Sequence, residues 1–169
     1  MASFVDRMIG AARLNLQIYE EVEADRSATG QAMAVVILSS IAQGIGNISY
    51  GPRVFISGTI FALIGWVIWA FLTSVIGTRI LPEPQTQSDM GELLRTMGFA
   101  SSPGLLRVLE IIPFLRRFAM FFILVWMLVA MVIAVRQALD YRKMGRAVVV
   151  CVIGFVIYFS LEVALARLR

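Results

Sequence analysis

Two stretches without a single charged residue, Val54 to Gly77 over 24 residues and Phe118 to Val135 over 18, set the terms on which this chain can fold. A helix of about 20 apolar residues matches the hydrocarbon thickness of a bilayer, where only helices and closed barrels satisfy their own backbone polar groups. Similar runs, each bounded by arginines, recur from residue 27 almost to Arg169. The expected fold class is therefore all-α: a polytopic membrane helical bundle of about five transmembrane helices plus an N-terminal amphipathic helix. With 59% hydrophobic residues and a mean hydropathy of +0.83, no separate soluble domain fits. The predicted organisation is an amphipathic segment, 1–26, followed by a membrane bundle, 27–169.

The net charge of +4 and pI near 9.8 do not describe a nucleic-acid surface, because Lys and Arg stand at the ends of apolar runs instead of lining one polar face. They read as topology signals. The chain has no histidine, which removes the commonest metal ligand, the imidazole ligand of haem and every catalytic arrangement built on a His base. Cys151 is the single cysteine, so it forms neither an internal disulfide nor a thiolate cluster and reads as a small buried apolar side chain. Asp6, Arg7 and Arg13 interrupt what would be the apolar core of a signal peptide. Gly44-Ile45-Gly46-Asn47 approaches the Gly-x-Gly-Asp sequence of intramembrane aspartyl proteases, but Asn47 cannot ionise and no other span holds an Asp to share a proton. Nucleophile-elbow, zinc-helix and phosphate-loop motifs are also missing. No catalytic, cofactor-binding or metal-binding residue is expected.

Along Ala2 to Asp25, Val5, Met8, Ile9, Ala12, Leu16 and Tyr19 share one helical stripe, with Arg7, Arg13, Glu20 and Glu21 elsewhere. An interfacial helix on the membrane surface or on the other spans is predicted. The first span, about Ala28 to Ile48, carries Ser40 and Gly44 as a small-xxx-small pair that admits a neighbouring helix. The second, about Val54 to Thr78, repeats the device in Gly58, Ala62 and Gly65, and its Trp66 and Trp69 lie deep enough to read as packing residues. After a Pro-rich polar connection, Asp89 and Glu92 form a capping box for a short surface helix that ends at Gly98. Ser102 as N-cap and Pro103 at the first helical position restart a helix. Thr96 to Leu115 is mostly apolar yet contains Arg107, Glu110 and Pro113. Arg107 and Glu110 can pair along one face, and the segment is predicted to be a short, tilted or broken span shielded by its neighbours. Phe118 to Val135 forms the fourth span and about Ala147 to Ala166 the fifth, where Cys151, Gly154, Tyr158 and Glu162 follow a narrow stripe expected to point inward.

With five spans and a cytoplasmic N-terminus, nine Lys or Arg fall inside and five outside, in accord with the positive-inside rule. A four-span reading scores the same. Five is preferred because it places the basic cluster Arg136 to Arg146 in the cytoplasm.

From Arg95 the chain reads Arg-Thr-Met-Gly-Phe-Ala-Ser-Ser-Pro-Gly-Leu-Leu, then Ile112-Pro113, then a span containing Trp126. This order resembles the signature of the Yip domain, the Ypt-interacting family of five-span membrane proteins, and is carried by Gly98, Phe99, Ala100, Pro103, Pro113 and Trp126. The resemblance implies a five-helix bundle with a cytoplasmic N-terminus. For eukaryotic members it also implies association with Rab-type GTPases and with traffic between endoplasmic reticulum and Golgi. Many such members carry a long cytoplasmic N-terminal region; this chain departs there and resembles the short prokaryotic form, expected in a bacterial cytoplasmic membrane.

The expected function is non-enzymatic: an integral membrane protein acting as an interaction or scaffold module, an accessory subunit of a larger membrane complex. Its expected partners are the lipid bilayer and other membrane protein subunits, with no nucleic acid and no cofactor. The alternative is a small transporter or channel in which Glu162 faces a polar path, with Arg107 and Glu110 as the other intramembrane charges. No internal repeat supports that alternative.

Overall fold

A computed structural model describes residues 2–46 and 52–167, the side chains of 52–57, 158, 159 and 161–167 excepted. Among the described residues the chain is entirely helical. The N-terminal segment is two helices, α1 (Phe4–Ala12) and α2 (Leu16–Ala24), where one was expected. The break has local causes. Leu14 takes a left-handed conformation with φ 61°, and the Asn15 side chain accepts the Gln17 amide as N-cap of α2. Gly10 has no side chain to obstruct Ile18, whose Cγ1 lies 2.5 Å from where a Cβ would stand, so the helices fold back as a tight antiparallel pair. The predicted stripe is corrected with it: Val5, Ile9 and Leu16 face outward, and the buried positions are Arg7, Ala11, Tyr19 and Val22.

A 3-10 turn at Arg26–Ala28 leads into α3 (Thr29–Gly46). Next come α4 (Pro52–Val75) with a π-helical turn Ile76–Ile80, α5 (Met90–Phe99), a 3-10 helix Ser102–Ile111, α6 (Arg116–Ala138) and α7 (Met144–Arg167). Three of the described helical stretches, Arg26–Gly46, Gly58–Ile80 and α6, are long and apolar enough to cross a membrane. In α7 the stretch Met144–Ile157 is apolar as well. The exposed faces carry large apolar side chains such as Ile60, Phe71, Phe121, Phe122 and Phe155, while the interior is rich in alanine: Ala32, Ala70, Ala130, Ala134, Ala138 and Ala147. Small residues inside and bulky apolar ones outside are what lipid-bathed helices need, since close backbone approach, not water exclusion, holds them together. The chain is a helical membrane bundle.

The ambiguous segment is resolved as a broken rod. Gly98 lies against Ala32, Gly104 against Ser39, and Gly46 against Arg107 and Glu110, so α5 and the 3-10 helix run parallel to α3 along its length. At ~1.5 Å per α residue and ~2.0 Å per 3-10 residue, the ten residues of each reach about 35 Å, enough to join both ends of the bundle. The Asp89–Glu92 capping box is present, but Ser102 is no N-cap: its hydroxyl donates backward to the Phe99 carbonyl at 2.7 Å. Buried Pro103 is the second residue of the 3-10 helix, not the first as expected, and still lies in the opening turn, where a missing amide hydrogen costs nothing.

Candidate functional site

Helix breaks leave backbone carbonyls without partners, and in a low-dielectric bundle each must be met by a side chain from elsewhere. This chain does so repeatedly. The last carbonyls of α1 are taken by the Tyr19 hydroxyl, which donates to Ala11 O at 3.1 Å, and by the Trp126 indole, which donates to Ala12 O at 2.7 Å. The last turn of α2 is capped by buried Arg95, whose guanidinium donates to Val22 O at 3.0 Å and, through two nitrogens, to Glu23 O. A cation at a helix C-terminus also complements the helix dipole. The phenol of Tyr141 donates to Gly77 O at 3.0 Å and Leu81 O at 2.8 Å, closing the π-helical turn.

The α1–α2 pair is thus pinned to the bundle, and its own interior is ionic. Arg7, only 2% exposed, donates to Glu21 Oε1 at 2.8 Å, Asp25 Oδ2 at 2.8 Å and Gln31 Oε1 at 3.0 Å. Hydrogen bonds from Arg7 and the Ala2 amide hold Glu21 below the usual carboxylate range; those of Ser27 and Arg7 do the same for Asp25. Glu23 goes the other way. Burial, reinforced by Asp140, Glu92 and Glu20, pushes its carboxyl up to about 7 against a hydrogen bond with Gln137. Nearby, Glu83 accepts the Arg142 amide at 3.1 Å and pairs with Arg146 at 3.3 Å, while Gln85 donates to Asp140 O at 3.1 Å. The connections 81–89 and 139–143 are thereby tied together beside the hairpin.

The residues that carry the resemblance lie mostly around this arrangement. Gly98 admits Ala32, whose Cβ would stand 2.7 Å from an added methyl. Phe99, fully buried, meets Phe4 of α1 edge to face at a centroid distance of 6.5 Å. Ala100 and Pro103 are buried at the break, and Trp126 bonds α1; Pro113 stands exposed at the far end. Five of the six therefore bear on the α5 break or on the docking of α1.

Between α3, α4, the 3-10 helix and α6 lies an open chamber of about 260 Å³ lined by Ser39, Ser40, Gln43, Gly65, Trp66 and Arg107 among others. An apolar groove of about 390 Å³ between α4, α6 and α7 is lined by Leu124, Leu128, Val132, Val148, Cys151 and Phe155. Trp69 and Met131 line both. Arg107 and Glu110 pair as expected, Nε to Oε1 at 3.4 Å with Glu110 only 5% exposed. The 3-10 geometry favours the contact, because residues three apart eclipse.

Of the packing residues, Ser40 donates to Ile37 O at 2.8 Å and contacts Thr59 Oγ1 of α4 at 3.2 Å; Ala62 and Gly65 are half-buried at the chamber, and Gly44 is half-buried on α3. Gly58 is corrected: it is exposed with nothing within 4 Å of a would-be Cβ, because the inward stripe of α4 runs through Thr59, Ala62, Trp66, Ala70 and Thr73. Trp66 packs as expected, its indole donating to Leu94 O at 3.1 Å, and Trp69 meets Phe155 edge to face. Cys151 and Gly154 are buried on the inward stripe of α7, while Asn47 and the side chains of Tyr158 and Glu162 lie outside the described residues. The sequence reading missed Ser39, Ala42 and Gly46, the buried small face of α3 toward the 3-10 helix, although their spacing of three and four is visible. It also missed Arg7 and Arg95, whose partners lie far away in sequence.

The sequence model of the Yip1 domain matches residues 16–164, which takes in all of the bundle from α2 to near the end of α7. No curated protein and no solved structure matches the chain. The family match covers well over half of the chain, and the protein belongs to the Yip1 domain family.

Proposed function

We propose that the protein is a non-enzymatic membrane interaction module that binds other membrane proteins through the outer face of its N-terminal hairpin, as a scaffold or accessory subunit. The observation that carries this is the inverted character of α1: it buries Arg7 and leaves Val5 57% and Ile9 46% exposed, with Leu16 continuing the apolar face on α2. A helix that turns its arginine inward and its valine and isoleucine outward has a face prepared for an apolar neighbour. Because the hairpin is pinned by Arg95, Trp126 and Phe99, that face is presented rigidly, which lowers the ordering cost of association. The basic residues of 136–146 lie with the hairpin and the 81–89 connection at one end, which supports a cytoplasmic N-terminus in a bacterial inner membrane.

The test is native co-purification with mass spectrometry on the wild type and on Val5→Glu/Ile9→Glu. Both side chains face outward, so the isolated variant keeps its stability to within about 0.5 kcal/mol per site, while a stoichiometric membrane partner seen with the wild type is lost. Retention of that partner by the variant, or recovery of the wild type as a monomer with none, rejects the proposal.

A further inference from the structure

The chamber and the groove differ in one informative way. The chamber contains a cation held by a single ion pair, and the groove has no polar wall residue apart from the Trp69 indole and the Cys151 thiol. Among the described residues the Arg107 guanidinium makes no hydrogen bond; its one contact is Glu110 Oε1 at 3.4 Å, beyond good donor geometry, and its Nε is buried. A guanidinium carries five N–H donors in a planar fork suited to phosphate, and donors left unmet inside a span are costly. Arg107 sits near the end of α3 remote from the hairpin, its carbonyl beside Gly46, and a span of about 20 residues brings its two ends toward the headgroups. From there the chamber descends to Trp69 and Met131, where the groove takes over along Leu124 to Val132 of α6.

We propose that chamber and groove together hold one zwitterionic membrane phospholipid, its phosphate on the Arg107 guanidinium and one acyl chain along the groove. Charge decides the head. The Arg107–Glu110 pair is already neutral, so a further bare anion would leave uncompensated charge in a low-dielectric site, whereas a zwitterionic head brings its own countercharge. Shape decides the tail: the groove is lined by Leu124, Leu128, Val132, Val148 and Val152, and the wall it shares with the chamber includes Met131, an unbranched side chain that repacks readily. The occupant comes from the bilayer because the groove opens between α6 and α7 among outward-facing Leu124, Leu128, Val152 and Phe155. None of this depends on the hairpin's partner.

The experiment uses the full chain, purified in mild detergent, with dioleoylphosphatidylcholine added and native mass spectrometry as readout. The expected result is a single phospholipid adduct that survives activation which strips all others. Its population falls by about tenfold in Arg107→Gln, which removes the head contact, and similarly in Leu128→Trp, which fills the groove. Phe122→Trp, on the lipid-facing side of α6, leaves it unchanged. Size exclusion and far-UV circular dichroism establish that each variant is folded; should Arg107→Gln fail there, Leu128→Trp decides alone. An adduct equally strong in the variants overturns the proposal. So does equal retention of dioleoylglycerol, which lacks the phosphate, or binding of inorganic phosphate alone with no chain dependence.

Discussion

Glu23 stands where α2 ends against α5 and α6, and the Arg95 guanidinium donates to its carbonyl oxygen. Burial and the acids Asp140, Glu92 and Glu20 keep its proton on to about pH 7, against an ordinary value of 4.5. Between those values the folded chain binds more protons than the unfolded one, so this group's contribution to stability falls as pH rises through that window and is flat above it. Glu21 and Asp25 have the opposite sign. Their carboxyls are lowered, so their contribution is present above the ordinary carboxylate range and is lost as pH falls through the lowered values. The expected outcome for Glu23→Gln, which keeps a hydrogen-bonding partner for Gln137, is a melting temperature equal to wild type near about pH 4.5 and higher at about pH 8. Thermal unfolding in detergent across that range checks it; a constant difference at every pH removes Glu23 from the account.

At the scale of elements, the decisive contact is the approach of α5 to α3, where a methyl on Gly98 would meet Ala32 Cβ at 2.7 Å and its Cα and O at 3.1 Å. Backbone cannot yield as a side-chain tip can, so Gly98→Ala should cost about 1 to 3 kcal/mol through overpacking. Ala32→Gly in the same chain should restore part of that loss. Denaturation of the two single variants and the double variant measures the coupling; strict additivity shows that the two helices do not meet there. The long helices α3, α4, α6 and α7 were legible because apolar run length is a local property, and the Asp89–Glu92 box because a cap depends on residues three apart. The turn at Leu14 was hidden because the periodicity of Val5, Met8, Ile9 and Ala12 continues smoothly across it into Leu16 and Tyr19. Arg7 was placed off the apolar stripe and its burial was not foreseen, because its partners lie 14, 18 and 24 positions away and no local pattern announces them. The chamber was invisible for the same reason: Ser39, Gly65 and Arg107 become neighbours only when three helices pack.

Taken whole, the molecule has two unlike ends. At one, the hairpin, the 81–89 connection and the 139–143 connection are cross-tied through Arg95, Glu83, Tyr141 and Arg146. At the other, Phe114 stands 83% exposed beyond the 3-10 helix, whose Arg107 lies against Gly46. This polarity follows from the broken rod, because α5 and the 3-10 helix must carry the chain from the first end to the second before α6 can return it. The arrangement predicts which residues share a side of the membrane. In a Cys151→Ala background, single cysteines at Ser88 and at Phe114 should react with a membrane-impermeant maleimide from opposite faces of sealed vesicles. A cysteine at Ser3 should follow Ser88, because α1 and the 81–89 connection belong to the same end. Four crossings instead of five would place Ser88 and Phe114 on one face, and labelling of both from that face would remove the rod's role as a span. Reaction of Ser88 from the inside of right-side-out vesicles further fits the basic residues Arg136, Arg142, Lys143 and Arg146, which positive-inside insertion retains in the cytoplasm.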